Sequence, residues 1–235
     1  MTRLHQTAME RILQRIADGD LKPGEWLASE VGLQTEHGVS RGVARETIWA
    51  LSERGLLEVR HGRGQRVLPE EDWDLLDDKV LVALVTARRI DLLRELVECR
   101  ALLEPQAITL AVERASERQR AELATSHAAV QDAVRRRRHP LALADPLVQA
   151  EVTFHRALAR MTGNRPLQRM LEPVHVGLAA ARHELAPEER EPVVRVLGRT
   201  RKAVEAGDSE AARKSVAAGI TQMRRWLARA ERAAA

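Results

Sequence analysis

Apolar side chains recur at helical spacing near the start of the chain. Between residues 3 and 18 they fall at Leu4, Ala8, Ile12 and Ile16, which places them on one face of a helix. Glycine and proline in the stretch GDLKPGEWL interrupt this pattern. The pattern therefore predicts a first helix that ends before this stretch.

Two shorter helices and a hairpin are predicted next. Ser29 is a suitable N-cap for a helix that Gly38 closes, and Ser40 is a suitable N-cap for a helix that Gly55 ends. Only a few residues separate these helices, which is the spacing of a helix-turn-helix. Beyond Gly55, two short segments of alternating apolar and polar residues flank HGRG and predict a β-hairpin. Three helices and a hairpin predict a winged helix-turn-helix domain over 1–68.

The remainder of the chain shows helical periodicity almost throughout. An acidic stretch, 69–80, is predicted to be a linker, and breaks such as TGN, APEE and AGD separate the helices that follow. The predicted helices span 81–86, 89–114, 116–135, 146–162, 165–183, 188–206 and 208–230. The predicted fold class is therefore mainly α, with an N-terminal winged helix-turn-helix that has a small β-hairpin wing and a C-terminal all-α bundle over 81–235.

Composition supports this fold class and narrows the function. Leu, Ala, Arg and Glu are abundant and aromatic residues make up only 2% of the chain, which suits helices better than sheets. No apolar run is long enough to span a membrane, and no basic-then-apolar leader is evident. A single cysteine rules out an internal disulfide framework. We therefore expect a cytoplasmic protein with no membrane association.

The second helix of the predicted helix-turn-helix carries side chains suited to DNA. Arg41 lies at its start and Arg45 one turn later on the same face, where both could contact base edges in a major groove. The helix and the predicted wing supply further polar groups, some of which could donate to phosphates: Ser40, Thr47, His61, Arg63 and Arg66. Each could alone be an ordinary solvated side chain. Together, on a winged helix-turn-helix, they predict binding to double-stranded DNA.

A known family has a similar N-terminal segment. The DNA-binding domain of the GntR family of bacterial transcription regulators resembles LKPGEWLASEVGL and HGVSRGVARETIWALSERGLLEVRHGRGQRV. The resemblance implies that four matching positions contact operator DNA: Arg41, Arg45, His61 and Gly62. One position departs from the family pattern, because Val31 stands where an arginine usually helps to contact the operator.

The helical part resembles the FCD effector domain of the FadR subfamily. The resemblance is carried by LRELVECRALLEPQAITLAVERA, FHRALARMTGNRPL and AVEAGDSEAARKSV. Many FCD domains hold a divalent metal ion that small carboxylate effectors chelate, and the implied ligand positions are Glu151, His155, Leu197 and Gly219 here. Leu197 and Gly219 cannot bind a metal, and no histidine follows His183. We therefore expect the site to work without a metal.

Glu151 and His155 leave two interpretations open. Both fall on the apolar stripe of their predicted helix, so both should face the bundle core. They could bond each other as a buried pair one turn apart, or they could contact an effector directly without an ion. A metal-dependent site is the alternative, although two ligands hold Zn²⁺ or Ni²⁺ poorly unless others are recruited.

Arg100 interrupts an apolar stripe from the inside of its predicted helix. A buried arginine is costly unless it is paired, and Glu104 one turn later could neutralise it. Alternatively, its planar fork could bind the carboxylate of an anionic effector, as the FCD resemblance implies. Leu197 and Gly219 would then make the cavity roomier and more apolar. The expected effector-binding residues are Arg100, Glu151, His155, Leu197 and Gly219.

These features together predict a homodimeric transcription regulator, most simply a repressor, that binds palindromic operator DNA. A small organic or sugar acid bound in the helical domain would change its affinity for the operator. No cofactor is expected. The rival from another class is an enzyme, because helical bundles with inward carboxylates and histidines can be di-metal oxidases. Such enzymes need repeated Glu-x-x-His motifs, which are missing from this sequence, so we expect no enzymatic activity.

Overall fold

The computed structural model describes residues 3–60, 63–87, 89–135, 141–184 and 187–234. The chain forms two compact units, Met1–Ala87 and Arg88–Ala235. The described elements of the first unit are α1 (Arg3–Ala17), β1 (Trp26–Leu27), α2 (Glu30–His37), α3 (Arg41–Glu53), β2 (Leu57–Arg60), β3 (Gly64–Val67) and α4 (Asp78–Thr86). The predicted helix-turn-helix and its hairpin are therefore present.

The three strands form one antiparallel sheet in the order β1–β3–β2. β2 and β3 are the predicted hairpin, with Leu57 opposite Val67. β1 pairs with β3 and places Trp26 opposite Arg66. The sequence pattern did not predict β1, because a strand of two residues is too short to show an alternation.

Gly55 fixes the end of α3 against the segment that follows the sheet. Its φ of 68° is unfavourable for residues with a Cβ. A Cβ at this position would also lie 2.0 Å from the backbone oxygen of Asp72. Trp73, the next residue, is buried and donates from Nε1 to the carbonyl of Leu68. The acidic segment is thus packed closely onto the winged helix.

α4 changes the predicted domain boundary, which placed a linker at 69–80 and started the bundle at 81. In the structure α4 packs against α1 and belongs to the first unit. Asp77 caps α4 by accepting from the backbone N–H groups of Lys79 and Val80, and it lies 3.0 Å from Arg54. Apolar residues on all sides of α4 are buried, so this helix needs neighbours around it rather than a solvated linker position.

The second unit is a bundle of long helices. Its described α-helices are α5 (Ile90–Arg114), α6 (Glu117–Ala133), α7 (Pro146–Met161), α8 (Arg165–Ala181), α9 (Pro187–Glu205) and α10 (Ser209–Ala234). α5 packs against both α10 and α8, while α7 packs against α6 and α8. These bounds agree closely with the predicted helices, and the predicted fold class is confirmed. Among the helices that the structure describes, none is long and apolar enough to cross a membrane.

Candidate functional site

The start of α3 presents two arginines to solvent on one face. Ser40 caps the helix by accepting from the backbone N–H of Val43 at 3.3 Å. The Nε atoms of Arg41 and Arg45 lie 3.2 Å and 3.5 Å from the two carboxylate oxygens of Glu30 at the start of α2. Exposed ion pairs contribute at most about 1 kcal/mol to stability, so both guanidinium groups can leave Glu30 and bind bases or phosphates instead. The two predicted recognition arginines therefore lie together and remain accessible.

Thr47 does not support the role predicted for it. Its side chain is buried inside the winged helix, and its hydroxyl donates to the carbonyl of Val43 at 2.9 Å. The prediction that it donates to a phosphate is wrong, because this part of α3 turns toward the core. Trp49 takes the outward position instead, one turn beyond Arg45, with 59% of its surface exposed. An exposed tryptophan on this face is a further candidate contact that sequence reasoning missed.

The predicted wing contacts are only partly covered by the structure. His61 and Gly62 lie outside the described residues. Arg63 has an exposed side chain, and its backbone N–H donates to the carbonyl of Arg60 at 3.0 Å. Arg66 on β3 lies 3.2 Å from Glu58 across the hairpin and is half-buried. Among the described residues of the wing, Arg63 is therefore better placed than Arg66 to reach DNA.

A small cavity in the second unit brings together most of the expected effector residues. Its volume is about 50 Å³, and it lies where α5, α7, α9 and α10 converge beside the end of α8. Four expected residues line it: Arg100, His155, Leu197 and Gly219. The lining also includes Arg182, Arg229 and Trp226. A water needs roughly 10–15 Å³ of such space, so the cavity accommodates about four water-sized groups.

Glu151 lies behind this lining and is paired with Arg182. Both side chains are buried, and Nε of Arg182 donates to Oε2 of Glu151 at 3.1 Å. The Nη2 of Arg182 donates to the same oxygen. Arg182 is the C-cap of α8, where the helix dipole favours a cation. A direct bond between Glu151 and His155, one of the two interpretations from sequence, is wrong because Glu151 contacts Arg182 instead.

A second buried network joins α5, α7 and α8 beside the cavity. Nε of Arg100 donates to Oε2 of Glu104 at 2.5 Å. The other carboxylate oxygen lies 3.2 Å from Nε2 of His175 and 3.4 Å from Nδ1 of His155, although the latter contact lacks hydrogen-bond geometry. The two imidazole rings are stacked, with centroids 4.2 Å apart and planes at 19°. The predicted Arg100–Glu104 pair is present, and both side chains are buried.

The charges in this network are set by burial and by neighbours. Burial and the neighbouring His175 lower the pKa of His155 to about 3, so its imidazole is neutral near pH 7. Burial alone would raise the pKa of Glu104, but the Arg100 guanidinium and the two imidazoles outweigh it and hold that pKa well below its usual range. The network therefore contains an ion pair and a neutral His155, rather than two adjacent cations.

Comparison with known proteins identifies the chain. Residues 4–67 match the family described as bacterial regulatory proteins, gntR family, and residues 95–222 match the FCD domain. Regulator Rv0494 of Mycobacterium tuberculosis is 32% identical over 218 residues, which cover 92% of this chain and 86% of that protein. The chain belongs to the GntR family. Its combination of domains is that of the FadR subfamily.

Other relatives agree with this assignment. Two regulators of Escherichia coli are similar over 159 residues: YieP is 30% identical, covering 66% of each chain, and the galactonate operon transcriptional repressor is 29% identical, covering 67% of this chain and 66% of its own length. The solved structure of Lar, which controls the agr system of Listeria monocytogenes, has the same fold. It is 19% identical, with a TM-score of 0.69, and the match covers 97% of this chain and 98% of that chain. This GntR-family protein is therefore a transcription regulator and not an enzyme.

The metal site implied by the FCD resemblance does not fit the residues of this GntR-family chain. Leu197 and Gly219 line the cavity but supply no ligand atom. Oε2 of Glu151 accepts two N–H groups from Arg182, whose positive charge would oppose a metal ion at this carboxylate. Only His155 among the four positions offers a nitrogen toward the cavity. A single ligand does not define a transition-metal site, which needs at least three convergent donors.

A different trio in the described part of the chain comes closer to a metal site. Ligand atoms of Glu104, His155 and His175 lie within 4.8 Å of one another. An ion bound by both imidazoles must lie near both ring planes, however, and two nearly parallel rings whose centroids are 4.2 Å apart leave no such point between them. Arg100 also holds the carboxylate and would repel a cation. In this conformation the trio is a buried polar network in which His175 is hydrogen-bonded to Glu104 and His155 stacks on His175.

Sequence reasoning missed Arg182 and His175 as members of the site. Both interrupt or end the apolar run PVHVGLAAARH of α8, just as Arg100 interrupts the apolar stripe of α5. Applying the argument used for Arg100 would have identified them as buried polar groups in need of partners. Their actual partners, Glu151 and Glu104, are far away in the sequence and could not have been identified from local spacing.

Proposed function

We propose that this GntR-family regulator is a homodimeric repressor that releases palindromic operator DNA when a small carboxylate binds in the cavity of its helical unit. The observation that supports it is the position of Arg100, a buried guanidinium that lines the cavity. Buried arginines recognise carboxylates through parallel N–H···O bonds. Each winged helix would contact one half of the operator.

Space beside Arg100 favours this role. Its Nε is bonded to Glu104, while its Nη2 would lie only 3.5 Å from a Cβ placed on Gly219. The absence of a side chain at Gly219 thus leaves room next to this donor. A carboxylate entering that space would meet Nη2 and the neutral imidazole of His155, which also lines the cavity. Glu104 would keep Arg100 in place without blocking its outer donors.

The size of the cavity favours a small effector. A volume near 50 Å³ suits a carboxylate with a few further heavy atoms rather than a long acyl chain. The similar E. coli repressor is named for the galactonate operon, and galactonate is a sugar acid. This supports a hydroxy acid as the effector class, with the smaller members favoured by the volume.

A thermal-shift screen of the purified protein tests this proposal. Ligands that bind the folded state raise its melting temperature by mass action. We expect glycolate, lactate or glycerate to raise it and to reduce operator binding in a gel-shift titration, and ethylene glycol of similar size to do neither. Stabilisation only by acyl-CoA or by uncharged sugars would contradict the proposal. Light scattering of the same sample should give the mass of a dimer.

A further inference from the structure

We propose that the guanidinium of Arg182 takes the place of the divalent metal ion of related FCD domains as the cation that receives the effector carboxylate, and that Glu151 moderates its strength. This inference rests on the proposed function, because it assigns the second cation of that same effector site. It concerns Glu151, one of the two residues that matched metal-ligand positions in the sequence, and the arginine paired with it.

The geometry places Arg182 where an ion bound by Glu151 would compete with it. Nε and Nη2 of Arg182 both donate to Oε2 of Glu151, and the two residues are only 8% and 3% exposed. A divalent ion at that oxygen would lie against a positive charge in surroundings of low dielectric constant, where repulsion is strong. The guanidinium and the ion therefore exclude each other.

The orientation of Arg182 leaves donors for a ligand. Glu151 receives two of its five N–H groups, and among the residues that the structure describes no acceptor binds Nη1. The same side chain lines the cavity together with Arg100 and His155. Two planar forks therefore border one small space, which is an arrangement suited to clamping a single carboxylate from two sides.

Replacing Glu151 should change carboxylate affinity in opposite directions, depending on whether the receiving cation is Arg182 or a metal ion. The negative charge of Glu151 now offsets part of the positive charge that Arg182 offers to a ligand. Replacing it with glutamine keeps the shape and one acceptor oxygen but removes the charge, so carboxylates should bind more tightly. In a metal site the same replacement would weaken binding of the ion itself, so carboxylates that depend on that ion should bind more weakly.

Calorimetric titration with glycolate and glycerate as probes tests the inference. Wild-type protein should bind the probe equally well after chelator treatment and with added Zn²⁺. Glu151→Gln should bind it about threefold more tightly or better. The double variant Glu151→Gln with Arg182→Gln, which leaves no buried charge unpaired, should bind it about tenfold more weakly, which is the loss expected for a charge-assisted hydrogen bond.

A matched control uses a solvent-exposed arginine–glutamate pair with a similar distance between its charged groups. Arg118 lies 3.0 Å from Glu122 on α6, and neither lines the cavity. The double variant Arg118→Gln with Glu122→Gln should leave probe binding unchanged. Melting curves verify that every variant is folded. If Glu151→Gln is unstable because Arg182 loses its partner, the double variant and the comparison of chelator-treated with Zn²⁺-supplemented wild type still test the inference.

The possible failures are distinguishable. Probe binding to the wild type that requires Zn²⁺, or weaker binding by Glu151→Gln, would overturn the role of Arg182 while leaving a carboxylate-responsive regulator. No binding of any hydroxy acid to the wild type, with or without Zn²⁺, would overturn the proposed effector class and this inference with it.

Discussion

Arginines are held by glutamates in both units, but at opposite levels of burial. On the winged helix, Arg41 and Arg45 share Glu30 at the surface, with 71% and 65% of their side chains exposed. In the bundle, Arg100 and Arg182 each pair with a buried glutamate. Exposed pairs contribute little and exchange partners easily, whereas breaking a buried pair leaves a charge without water. The first arrangement suits transfer to DNA and the second suits a fixed site.

The largest expected effect comes from breaking a buried pair. Arg100→Ala leaves the Glu104 carboxylate buried without its guanidinium, and we expect the free energy of unfolding to fall by about 3–5 kcal/mol. Arg41→Ala, the exposed counterpart, should lower it by less than about 0.5 kcal/mol. Urea unfolding followed by circular dichroism measures both. Equal losses for the two variants would contradict the distinction drawn between the two regions.

The next largest effect is a loss of DNA affinity without a change in stability. Arg45→Ala removes a predicted base contact, so operator affinity should fall by about 1–3 kcal/mol for each half-site. Its melting temperature should stay near that of the wild type, because its partner Glu30 remains hydrated. Fluorescence anisotropy with a labelled operator measures affinity, and Arg118→Ala on the bundle surface is the control. Wild-type affinity in Arg45→Ala would show that α3 does not read the operator as assigned.

A pH dependence distinguishes the buried network from the surface. Burial lowers the pKa of His155 to about 3, so the folded protein does not protonate it where the unfolded chain does. Its contribution to stability is therefore complete above the unfolded pKa, about 6.5, and is lost as the pH falls below that value. The contribution of His155 to the free energy of unfolding should therefore fall by about 1.4 kcal/mol for each pH unit as the pH approaches 5.

His155→Gln should reduce this slope of unfolding free energy against pH. Unfolding free energies measured between pH 5 and 7 give the comparison, in a range above the usual pKa of Glu104. Burial also lowers the pKa of His127, which contributes in the same direction and remains in the variant. The difference from wild type therefore excludes His127 and reports His155 together with its coupling to the buried network. Identical slopes in the two proteins would mean that His155 is protonated in the folded state.

The smallest effect should come from restoring the arginine that is usual in the family at Val31. Val31 is exposed near the start of α2, next to Glu30. Val31→Arg should add one phosphate contact in each subunit and steepen the log–log salt dependence of operator binding by about one unit per contact. Val31→Gln is the uncharged control. A slope that does not change would place this position away from the DNA backbone.

Much of the fold could be predicted because its signals are local. The helical periodicity of α5 to α10 and the caps Ser29 and Ser40 lie within single elements, and the structure confirms the helices they predict. β1 and the packing of α4 could not be predicted, because they depend on contacts between segments distant in the sequence. Thr47 shows that side-chain orientation within a helix is also hard to predict. An error of one residue in estimating the exposed face assigned it to DNA, although its side chain lies in the core.

The positions of the candidate site residues could be predicted from sequence, but of their pairings only Arg100 with Glu104 could. The apolar stripes correctly placed Arg100, Glu151 and His155 inside the bundle, and Leu197 and Gly219 line the same cavity. Arg100 pairs with Glu104 on its own helix, as its spacing predicted, but the partners of Glu151 and His155 come from other helices. Arg182 follows Glu151 by 31 positions and His175 follows Glu104 by 71, so no local spacing links them. The pairings of Glu151 with Arg182 and of Glu104 with His175 could therefore be identified only from the tertiary structure.

Because of the Glu151–Arg182 pair, the cost of substitutions that would create a metal site depends on the order in which they arise. A histidine gained at position 219 would place its Cβ 3.1 Å from Val196 and beside the Arg100 guanidinium, while Glu151 would still be occupied by Arg182. A change at Arg182 made first would strand a buried carboxylate. Single substitutions toward a metal site are thus each unfavourable until the others are present. If effector binding is independent of a metal ion, as we propose, such epistasis would preserve that independence even where metal ions are abundant.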